Sequence, residues 1–493
     1  MTAIYSPAVN LPLDVGTLAA LLIGAGIAAL AASRYARRWG RRTLLHNRAR
    51  VHRFKLTRKQ YVIEQMLALP AVKEAVRLHS EQSGETEAQA WKKVNGYLRE
   101  IVPFFNILAY YRLGYWVSRA LLGLFYKVSV EYERPDPFRG LPRDSMVIYL
   151  MNHRSNADYV LVAYVMMGDV SISYAVGEWA RAFPLEYLFK TFGSYFIRRR
   201  YRETLYHSVL ESYVQLITRN RVTQGVFPEG GLTRDGALRP GKIGLLDYAL
   251  GVARDKTSRA RMYIVPVGIN YDRVLEDRTL LRELETRAER PVASRGTQIR
   301  EVGRYLLSNI GRLVTGRWKR YGRAAVAIGT PVSIDAWLTS LETQGVALFE
   351  LPRAERLPFV QQFCDNALVR IGNIIPVTSV PLACAAIQSF DAEFIPRDKL
   401  LARMAAMRDV LLELNSRVIR ADRNIEETFD RAYRMLRLRK IVARVGDGFV
   451  VLPRGRPLIT YYANSIVHLL GPFAEGVRAR DALPVEEWDR APK

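Results

Sequence analysis

Cysteine is scarce in this sequence. The 493 residues contain two cysteines, Cys364 and Cys384. Two thiols are too few for a framework of several disulfides, and no second pair is present to complete a Cys-based zinc cluster. The sequence therefore excludes a disulfide-stapled secreted module and favours a reducing compartment.

Acidic residues are also in short supply. Asp and Glu number 48 against 73 Lys and Arg, which gives a formal net charge of +25. A chain this basic favours anionic partners: phosphate groups, coenzyme A, an acidic carrier protein, bilayer headgroups or nucleic acid. Nucleic acid is the least favoured of these, because the arginines are scattered and no RNP-like strand, zinc knuckle or helix-turn-helix pattern occurs.

Two further patterns are missing. No Gly-x-Ser-x-Gly elbow occurs, which argues against a serine hydrolase, and no internal repeat or low-complexity segment is evident. Material for a packed core is ample, because 49% of the residues are hydrophobic and 10% are aromatic. The length predicts roughly two to four domains.

One long apolar run lies near the N-terminus, at residues 15–32, and contains no charged residue. As a helix it reaches about 27 Å, close to the hydrocarbon thickness of a bilayer. Basic residues follow it directly: Arg34, Arg37, Arg38, Arg41 and Arg42. We expect an anchor in the inner membrane, with its basic flank and the catalytic part of the chain on the cytoplasmic side. A buried or interfacial helix and a cleaved signal peptide are the alternatives, although a signal peptide carries its basic residues before the apolar run.

A second apolar stretch, residues 101–128, is rich in Phe and Tyr. Two of its basic residues, Arg112 and Arg119, are seven positions apart and therefore share one face of a helix. An aromatic helix with a basic stripe fits the headgroup interface of a membrane. An ordinary core helix with two solvated arginines is the alternative.

The middle of the chain alternates short β-like runs with longer amphipathic runs. The β-like runs are 146–150, 172–176, 224–227, 262–267 and 324–328, and residues 202–218 have the pattern of a helix. This alternation predicts an α/β fold with a sheet layer.

Beyond about residue 335 the β signals become sparse. Residues 400–412 and 425–442 are typical of helices, with one short β-rich run at 449–452. We therefore expect four parts along the chain: a membrane anchor and basic flank (1–45), a helical membrane-interface region (46–130), the catalytic domain (131–345) and a helical C-terminal domain (346–493).

The first candidate site directly follows the predicted strand 146–150. His153 stands just past that strand, in a turn rich in Ser and Asn, and Asp158 stands five residues after it. Catalytic residues of α/β folds usually lie at such a position. If the turn leads into a helix, Asp158 can accept a hydrogen bond from one ring nitrogen and leave the other free as a base. A structural histidine, with Asp158 as a helix cap, is the alternative.

Two further segments end in polar residues. Residues 193–200 finish with three consecutive arginines, which suit a phosphate group because guanidinium forks bind it bidentately. A solvated basic turn explains them equally well. Residues 225–234 place Glu229 and Gly230 at the end of a strand, where glycine lets the backbone approach a ligand closely. Alone, this segment is a tight turn.

A fourth segment, residues 264–274, is typical of a buried strand, and its Pro266 indicates a sheet edge or a bulge. In this order the four segments resemble the blocks of the glycerolipid acyltransferases: His-x4-Asp, Phe-Ile-Arg-Arg, Phe-x-Glu-Gly and a strand that contains proline. They are most similar to the glycerol-3-phosphate 1-O-acyltransferases and dihydroxyacetone-phosphate acyltransferases, because of Phe196-Ile197-Arg198-Arg199 and the Tyr-Asp-Arg-Val-Leu-Glu run at 271–276. The similarity is fainter towards the C-terminus.

The resemblance implies a mixed sheet of the glycerolipid-acyltransferase type and a specific reaction. A fatty acyl chain would pass from acyl-CoA or acyl carrier protein to glycerol-3-phosphate, which yields lysophosphatidic acid for phospholipid synthesis. His153 would take the proton of the attacking hydroxyl, and Asp158 would hold the imidazole. Neither a metal nor a cofactor is implied, since the acyl donor is a co-substrate. The residues implied in binding the acceptor are Arg198, Arg199, Glu229, Gly230, Arg234 and Lys242.

One departure from the family pattern concerns the third block. An Arg usually follows the glycines there, whereas this chain has Leu232, followed by Thr233 and Arg234. Either Arg234 or Arg200 replaces the lost phosphate contact, or the acceptor differs. The same blocks also suit the lysophosphatidic-acid and dihydroxyacetone-phosphate acyltransferases. A membrane-tethered protein that binds anionic lipid or nucleic acid is the remote alternative.

Overall fold

In the computed structural model of this chain, helices flank a mixed β-sheet. The predicted α/β fold is confirmed at this level. The structure describes residue 54 and residues 57–105, 115–136, 138, 141–142, 144–167, 170–177, 185–198, 201–286 and 321–478. These residues all lie in one unit, Val51–Lys493.

Eight strands build the main sheet. They are β1 (Lys127–Tyr132), β2 (Met146–Met151), β3 (Ser173–Val176), β4 (Tyr195–Phe196), β5 (Gln224–Val226), β6 (Met262–Tyr271), β7 (Arg323–Ile328) and β8 (Val332–Ser333). Their order is β1-β7-β6-β2-β5-β3-β4, and β8 pairs with β6. Strands β6, β2, β5, β3 and β4 run parallel to one another, whereas β7 and β8 run antiparallel to β6. All five strands predicted from the sequence are present.

Pro266 lies in an inner strand of the sheet, so the prediction of an edge strand is wrong. The alternative of a bulge fits the register, because Ile264 pairs with Val332 and Val267 with Ile328, which leaves residues 329–331 opposite residues 265–266. On one side residues 262–267 of β6 pair with β2. On the other side β8 pairs with Tyr263 and Ile264, and β7 pairs from Val267 onward. Pro266 falls in the gap between β8 and β7, where its missing N–H breaks no ladder.

Helices precede, interrupt and follow the strands. Before and within the sheet they are α1 (Lys59–Ala68), α2 (Pro70–Ser83), α3 (Glu87–Ile101), α4 (Tyr115–Phe125), α5 (Asp158–Met166), α6 (Leu185–Thr191), α7 (Thr204–Arg219), α8 (Gly244–Leu250), α9 (Lys256–Arg259) and α10 (Asp277–Thr286). After it they are α11 (Ile334–Thr343), α12 (Arg353–Asn373), α13 (Ser379–Gln388), α14 (Arg397–Glu413), α15 (Ile425–Leu438), α16 (Arg456–Asn464) and α17 (Ala474–Arg478).

Side chains alternate between the two faces of the sheet, because successive residues of a strand point in opposite directions. On β2, Ile148 and Leu150 face a core that the N-terminal helices, α7, α8 and α12 close. Tyr149 and Met151 face a second core, which α5 and the C-terminal helices α13 to α16 close. The C-terminal helices therefore share a core with the sheet.

The single helix predicted over residues 101–128 is wrong. Helix α3 ends at Ile101, α4 begins at Tyr115, and Val128 lies in β1, where alternating β-branched residues favour a strand. Residues 106–114 lie outside the described residues, as does the predicted anchor at 15–32. Among the helices that the structure describes, none is long and apolar enough to cross a bilayer.

The C-terminal part carries more β structure than the sequence indicates. A second sheet, of order β10-β11-β9, joins β9 (Phe394–Pro396), β10 (Val442–Val445) and β11 (Gly448–Val451). The helix predicted over 425–442 ends at Leu438, because Lys440 adopts a left-handed conformation (φ 54°) before β10 begins. Helix ends of this kind usually carry glycine, so the sequence contains no signal for this one.

Candidate active site

Three of the four predicted blocks, the first, third and fourth, meet at one edge of the sheet. Strands β2, β5 and β6 are parallel neighbours, so their carboxyl ends lie side by side. His153 follows β2, Glu229 follows β5, and Glu276 follows β6. An open α/β sheet places its ligand sites at this edge. The topology therefore brings together residues that are far apart in sequence.

His153 and Asp158 are in direct contact. The Nδ1 atom of His153 lies 3.0 Å from Oδ2 of Asp158, and both side chains are buried. Asp158 begins α5 and His153 lies in the turn before it, so the five-residue spacing does not separate them as it would within a helix. Because Nδ1 faces a carboxylate, it carries the proton. Nε2 then has its lone pair, and it makes no hydrogen bond with the residues that the structure describes.

Asp158 is held by several donors besides the imidazole. Oδ2 accepts from the backbone N–H groups of Arg154 (2.7 Å) and Ser155 (3.0 Å), and Oδ1 accepts from the Tyr271 hydroxyl (2.5 Å). Burial raises the pKa of Tyr271 well above its ordinary value, with the charge of Asp158 as a further cause. Tyr271 therefore remains a proton donor to the carboxylate. The sequence analysis did not identify it.

Two aromatic rings fix the orientation of the His153 imidazole. Phe227 stacks on it with a centroid separation of 4.0 Å, and Tyr159 meets it edge-on at 5.4 Å. Phe227 precedes Glu229 in the third block, so this block also forms one wall of the site. In the described part of the chain, no three His, Cys, Asp or Glu side chains converge as metal ligands would.

Glu229 joins the first and third blocks. It is buried, and its two carboxylate oxygens accept from the backbone N–H groups of His153 (2.7 Å) and Arg239 (3.0 Å). Burial raises the pKa of Glu229 to about 7, and these hydrogen bonds oppose the rise. Each oxygen of Glu229 thus accepts from one backbone N–H group, and one of these contacts holds the backbone of His153.

Glu276 is a second carboxylate beside the histidine turn, and the sequence analysis did not identify it. It accepts from the Ser155 hydroxyl (2.7 Å) and from the backbone N–H of Asn156 (3.2 Å). Burial raises the pKa of Glu276 to about 7, and the negative charge of Asp158 raises it further. A carboxylate that ends the polar run after β6 was the available signal.

The side chain of Lys242 covers Gly230. This glycine has φ +68°, and a Cβ there would lie 2.8 Å from Cδ of Lys242, so the lysine stem crosses directly over it. Lys242 is exposed and Arg234 is partly exposed. Lys242 is therefore available to an anion that enters from solvent.

Arg198 does not contact the other predicted residues. Its Nε and Nη2 atoms bind the carboxylate of Glu100, at 3.1 and 2.7 Å. It follows β4, which lies three strand spacings from β2, or about 14 Å. These contacts do not support the expectation that Arg198 binds the acceptor phosphate. Arg199 lies outside the described residues.

Two family models match the chain. "Acyltransferase" matches residues 135–270, which include His153, Asp158, Arg198 and Glu229, and "Glycerol-3-phosphate acyltransferase C-terminal region" matches residues 308–474. The matched segments thus cover most of the sheet, the His153–Asp158 pair and most of the C-terminal helices, and they leave out β1, Tyr271 and Glu276.

Curated relatives are named glycerol-3-phosphate acyltransferase. Those from Aeromonas hydrophila and Actinobacillus succinogenes are 26% and 27% identical to this chain over 425 and 435 residues. Each alignment covers 84% of this chain and 50% of the relative, so the chain spans about half the length of the curated relatives it matches. Among solved structures, the 1-acyl-sn-glycerophosphate (LPA) acyltransferase PlsC from Thermotoga maritima is 16% identical over 63% of this chain and 86% of its own, with a TM-score of 0.29.

The resemblance predicted from the four blocks is thereby confirmed. In this chain a segment that matches acyltransferases and contains the His153–Asp158 pair is followed by a segment that matches the C-terminal region of glycerol-3-phosphate acyltransferases.

Proposed function

We propose that this chain is an enzyme that transfers a fatty acyl group from a thioester donor to glycerol-3-phosphate. The donor is acyl-CoA or acyl carrier protein, and the product is lysophosphatidic acid. The observation that carries the proposal is the contact of His153 Nδ1 with Asp158 in a segment that matches acyltransferases. The names of the curated relatives support the choice of acceptor.

His153 acts as the general base in this proposal. Its Nε2 takes the proton of the acceptor hydroxyl as the hydroxyl oxygen attacks the thioester carbonyl. The new C–O ester bond forms, the C–S bond breaks, and the imidazolium returns the proton to the leaving thiolate. Asp158 stabilises the imidazolium between these two proton transfers. Atoms and charges balance without an acyl-enzyme.

The supporting residues of the site keep this pair in place. Tyr271 fixes the far oxygen of Asp158, Glu229 holds the His153 backbone, and Glu276 holds Ser155. A base held in one orientation reduces the barrier, because an effectively intramolecular geometry is worth about 7–11 kcal/mol. We place Lys242 and Arg234 at the entrance, where they attract an anionic acceptor.

Membrane association is part of the proposal. The apolar run at 15–32 and the arginines after it support an anchor in the inner membrane, with the catalytic residues on the cytoplasmic side. The lipid product and the fatty acyl substrate are consistent with that location. Extraction of cell membranes at alkaline pH tests it, because an anchored chain stays in the pellet and a chain bound by charge alone is released.

The acceptor is tested by direct comparison. The purified chain is incubated with a radiolabelled long-chain acyl-CoA and, in parallel, glycerol-3-phosphate, dihydroxyacetone phosphate and lysophosphatidic acid. We expect labelled lysophosphatidic acid from glycerol-3-phosphate as the main product. Faster acylation of either other acceptor would reassign the substrate, and no transfer from acyl-CoA or acyl carrier protein to any acceptor would contradict the proposal.

A further inference from the structure

Arg154 is a buried arginine directly after the catalytic histidine. Its side chain is 3% exposed. Nη1 donates to the carbonyl oxygen of Gly236, and the guanidinium carbon lies 4.9 Å from the centre of the Tyr461 ring. The guanidinium is thus held between the third block and helix α16.

The rest of the Arg154 guanidinium has no hydrogen-bond partner among the described residues. Nε and Nη2 are buried and make no hydrogen bond with the described residues. The N–H groups of these two atoms point in parallel from one edge of the guanidinium. This edge binds a carboxylate or phosphate bidentately. A buried charge with unsatisfied donors is costly unless an anion completes it.

The other buried arginines of the described residues are each paired with a carboxylate. Arg356 binds Asp247 through Nε and Nη2, and Arg439 binds Asp277 through both Nη atoms. No carboxylate of the described residues lies within ion-pair distance of Arg154. It is therefore the one of the three that forms no ion pair with the described residues, although the Glu229 carboxylate is near enough for the Arg154 charge to lower its pKa.

The surroundings of Arg154 contain a second unpartnered polar atom. The Tyr461 hydroxyl is buried and makes no hydrogen bond with the described residues. Gly236 lies so close to Tyr461 that a Cβ there would overlap its carbonyl oxygen. The turn around Gly236 is also tied to the site, because Thr233 N–H donates to the His153 carbonyl at 3.1 Å. Arg154 and Tyr461 thus bring donors from the two matched segments to one place.

We propose that Arg154, through its Nε–Nη2 edge, binds the phosphate group of the acceptor beside His153. This inference rests on the proposed function and adds the residue that recognises the charged end of the acceptor. Consecutive residues then place the base and the anion ligand, so recognition of the phosphate aligns the hydroxyl. The Tyr461 hydroxyl is a further donor to the same anion. Because Arg154 is closed off from solvent, the turn around Gly236 has to move when the anion enters.

Binding measurements separate this role from a structural one. Titration calorimetry on the full chain measures affinity for glycerol-3-phosphate, inorganic phosphate and coenzyme A in the wild type, Arg154→Lys and the matched control Arg356→Lys. Lysine keeps the charge and removes the bidentate fork. We expect Arg154→Lys to weaken glycerol-3-phosphate and phosphate binding at least tenfold and to leave coenzyme A unchanged. We expect Arg356→Lys to leave all three affinities unchanged.

Unchanged binding of glycerol-3-phosphate and phosphate in Arg154→Lys would overturn the inference, and so would a loss confined to coenzyme A.

Wild-type hydrogen exchange gives a test that needs no variant: glycerol-3-phosphate should slow exchange at residues 153–158 and 233–237. Absence of that protection would also overturn it. A wild-type chain that binds glycerol-3-phosphate but transfers no acyl group to it would contradict the proposed function and leave the inference standing. Acyl transfer by Arg154→Lys at the wild-type rate, with an unchanged KM for glycerol-3-phosphate, would contradict the inference and leave the proposed function standing.

Discussion

The Tyr271 hydroxyl donates to Oδ1 of Asp158 at 2.5 Å, while the other oxygen of the same carboxylate meets the imidazole of His153 at 3.0 Å. Tyr271 ends β6 and His153 follows the neighbouring strand β2, so residues at the ends of two paired strands hold the carboxylate from two sides. The pair is thereby held in one geometry before substrate arrives.

The first prediction concerns Tyr271→Phe. A hydrogen bond to a charged group contributes about 1.5–3 kcal/mol, and its loss frees Asp158 to rotate away from His153. We expect kcat to fall about tenfold or more with little change in KM, and the fold to persist because the ring stays. Steady-state kinetics measure this, with Tyr213→Phe as a control at a buried tyrosine of α7. Equal kcat values for Tyr271→Phe and the wild type would show that the Tyr271 hydroxyl does not orient the pair.

Glu276→Gln should change how stability depends on pH. The folded pKa of Glu276 is about 7, above its ordinary value of 4.5, so the folded protein holds this proton more tightly than the unfolded chain does. Its contribution is present below about pH 4.5 and is lost as the pH rises towards 7, by up to about 3 kcal/mol. Denaturant unfolding at several pH values measures it. We expect Glu276→Gln to flatten the decline between pH 4.5 and 7, and an identical decline in both proteins would contradict this.

Glu229→Gln should destabilise the site. The two oxygens of Glu229 accept two backbone N–H groups, whereas a glutamine side chain offers one oxygen and turns its amide N–H₂ towards the second donor. We expect a loss of about 1–3 kcal/mol in the free energy of unfolding and a fall in kcat. Urea unfolding and kinetics test this. If KM for the acceptor rises and stability is unchanged, Glu229 binds the substrate instead.

Arg198 and Glu100 should behave as a structural pair. Arg198 also lies over the rings of Tyr97, Tyr201 and Tyr206. Removing one partner leaves the other partly buried and unpaired, so we expect Arg198→Ala and Glu100→Ala each to lower stability, and the double variant to lose less than their sum. Unfolding of the three variants measures the coupling. A KM increase for glycerol-3-phosphate in Arg198→Ala alone would show that Arg198 binds the substrate.

The contact between His153 and Asp158 can be predicted from the sequence alone. His153 and Asp158 lie in one turn between β2 and α5, and the end of a strand followed by a helix start can be predicted from the residues themselves. Strand positions were predicted for the same reason, since short β-rich runs are local.

The remaining relationships depend on tertiary structure. Tyr271 and Glu276 reach the histidine turn from more than one hundred residues away, because β6 pairs with β2. Arg198 instead binds Glu100 of α3, which lies 98 residues earlier in the chain. No local pattern reports strand order or such partners, so the sequence could not assign these contacts.

The central claim is that His153 is the base for acyl transfer. The most direct test measures the initial rate of lysophosphatidic acid formation from acyl-CoA and glycerol-3-phosphate by the wild type, His153→Ala and the control His207→Ala. His207 hydrogen-bonds to Tyr248 and to the Tyr201 carbonyl and does not belong to the site. The account predicts a loss of about 10²–10⁴-fold in kcat for His153→Ala only. Transfer by His153→Ala at close to the wild-type rate would contradict it.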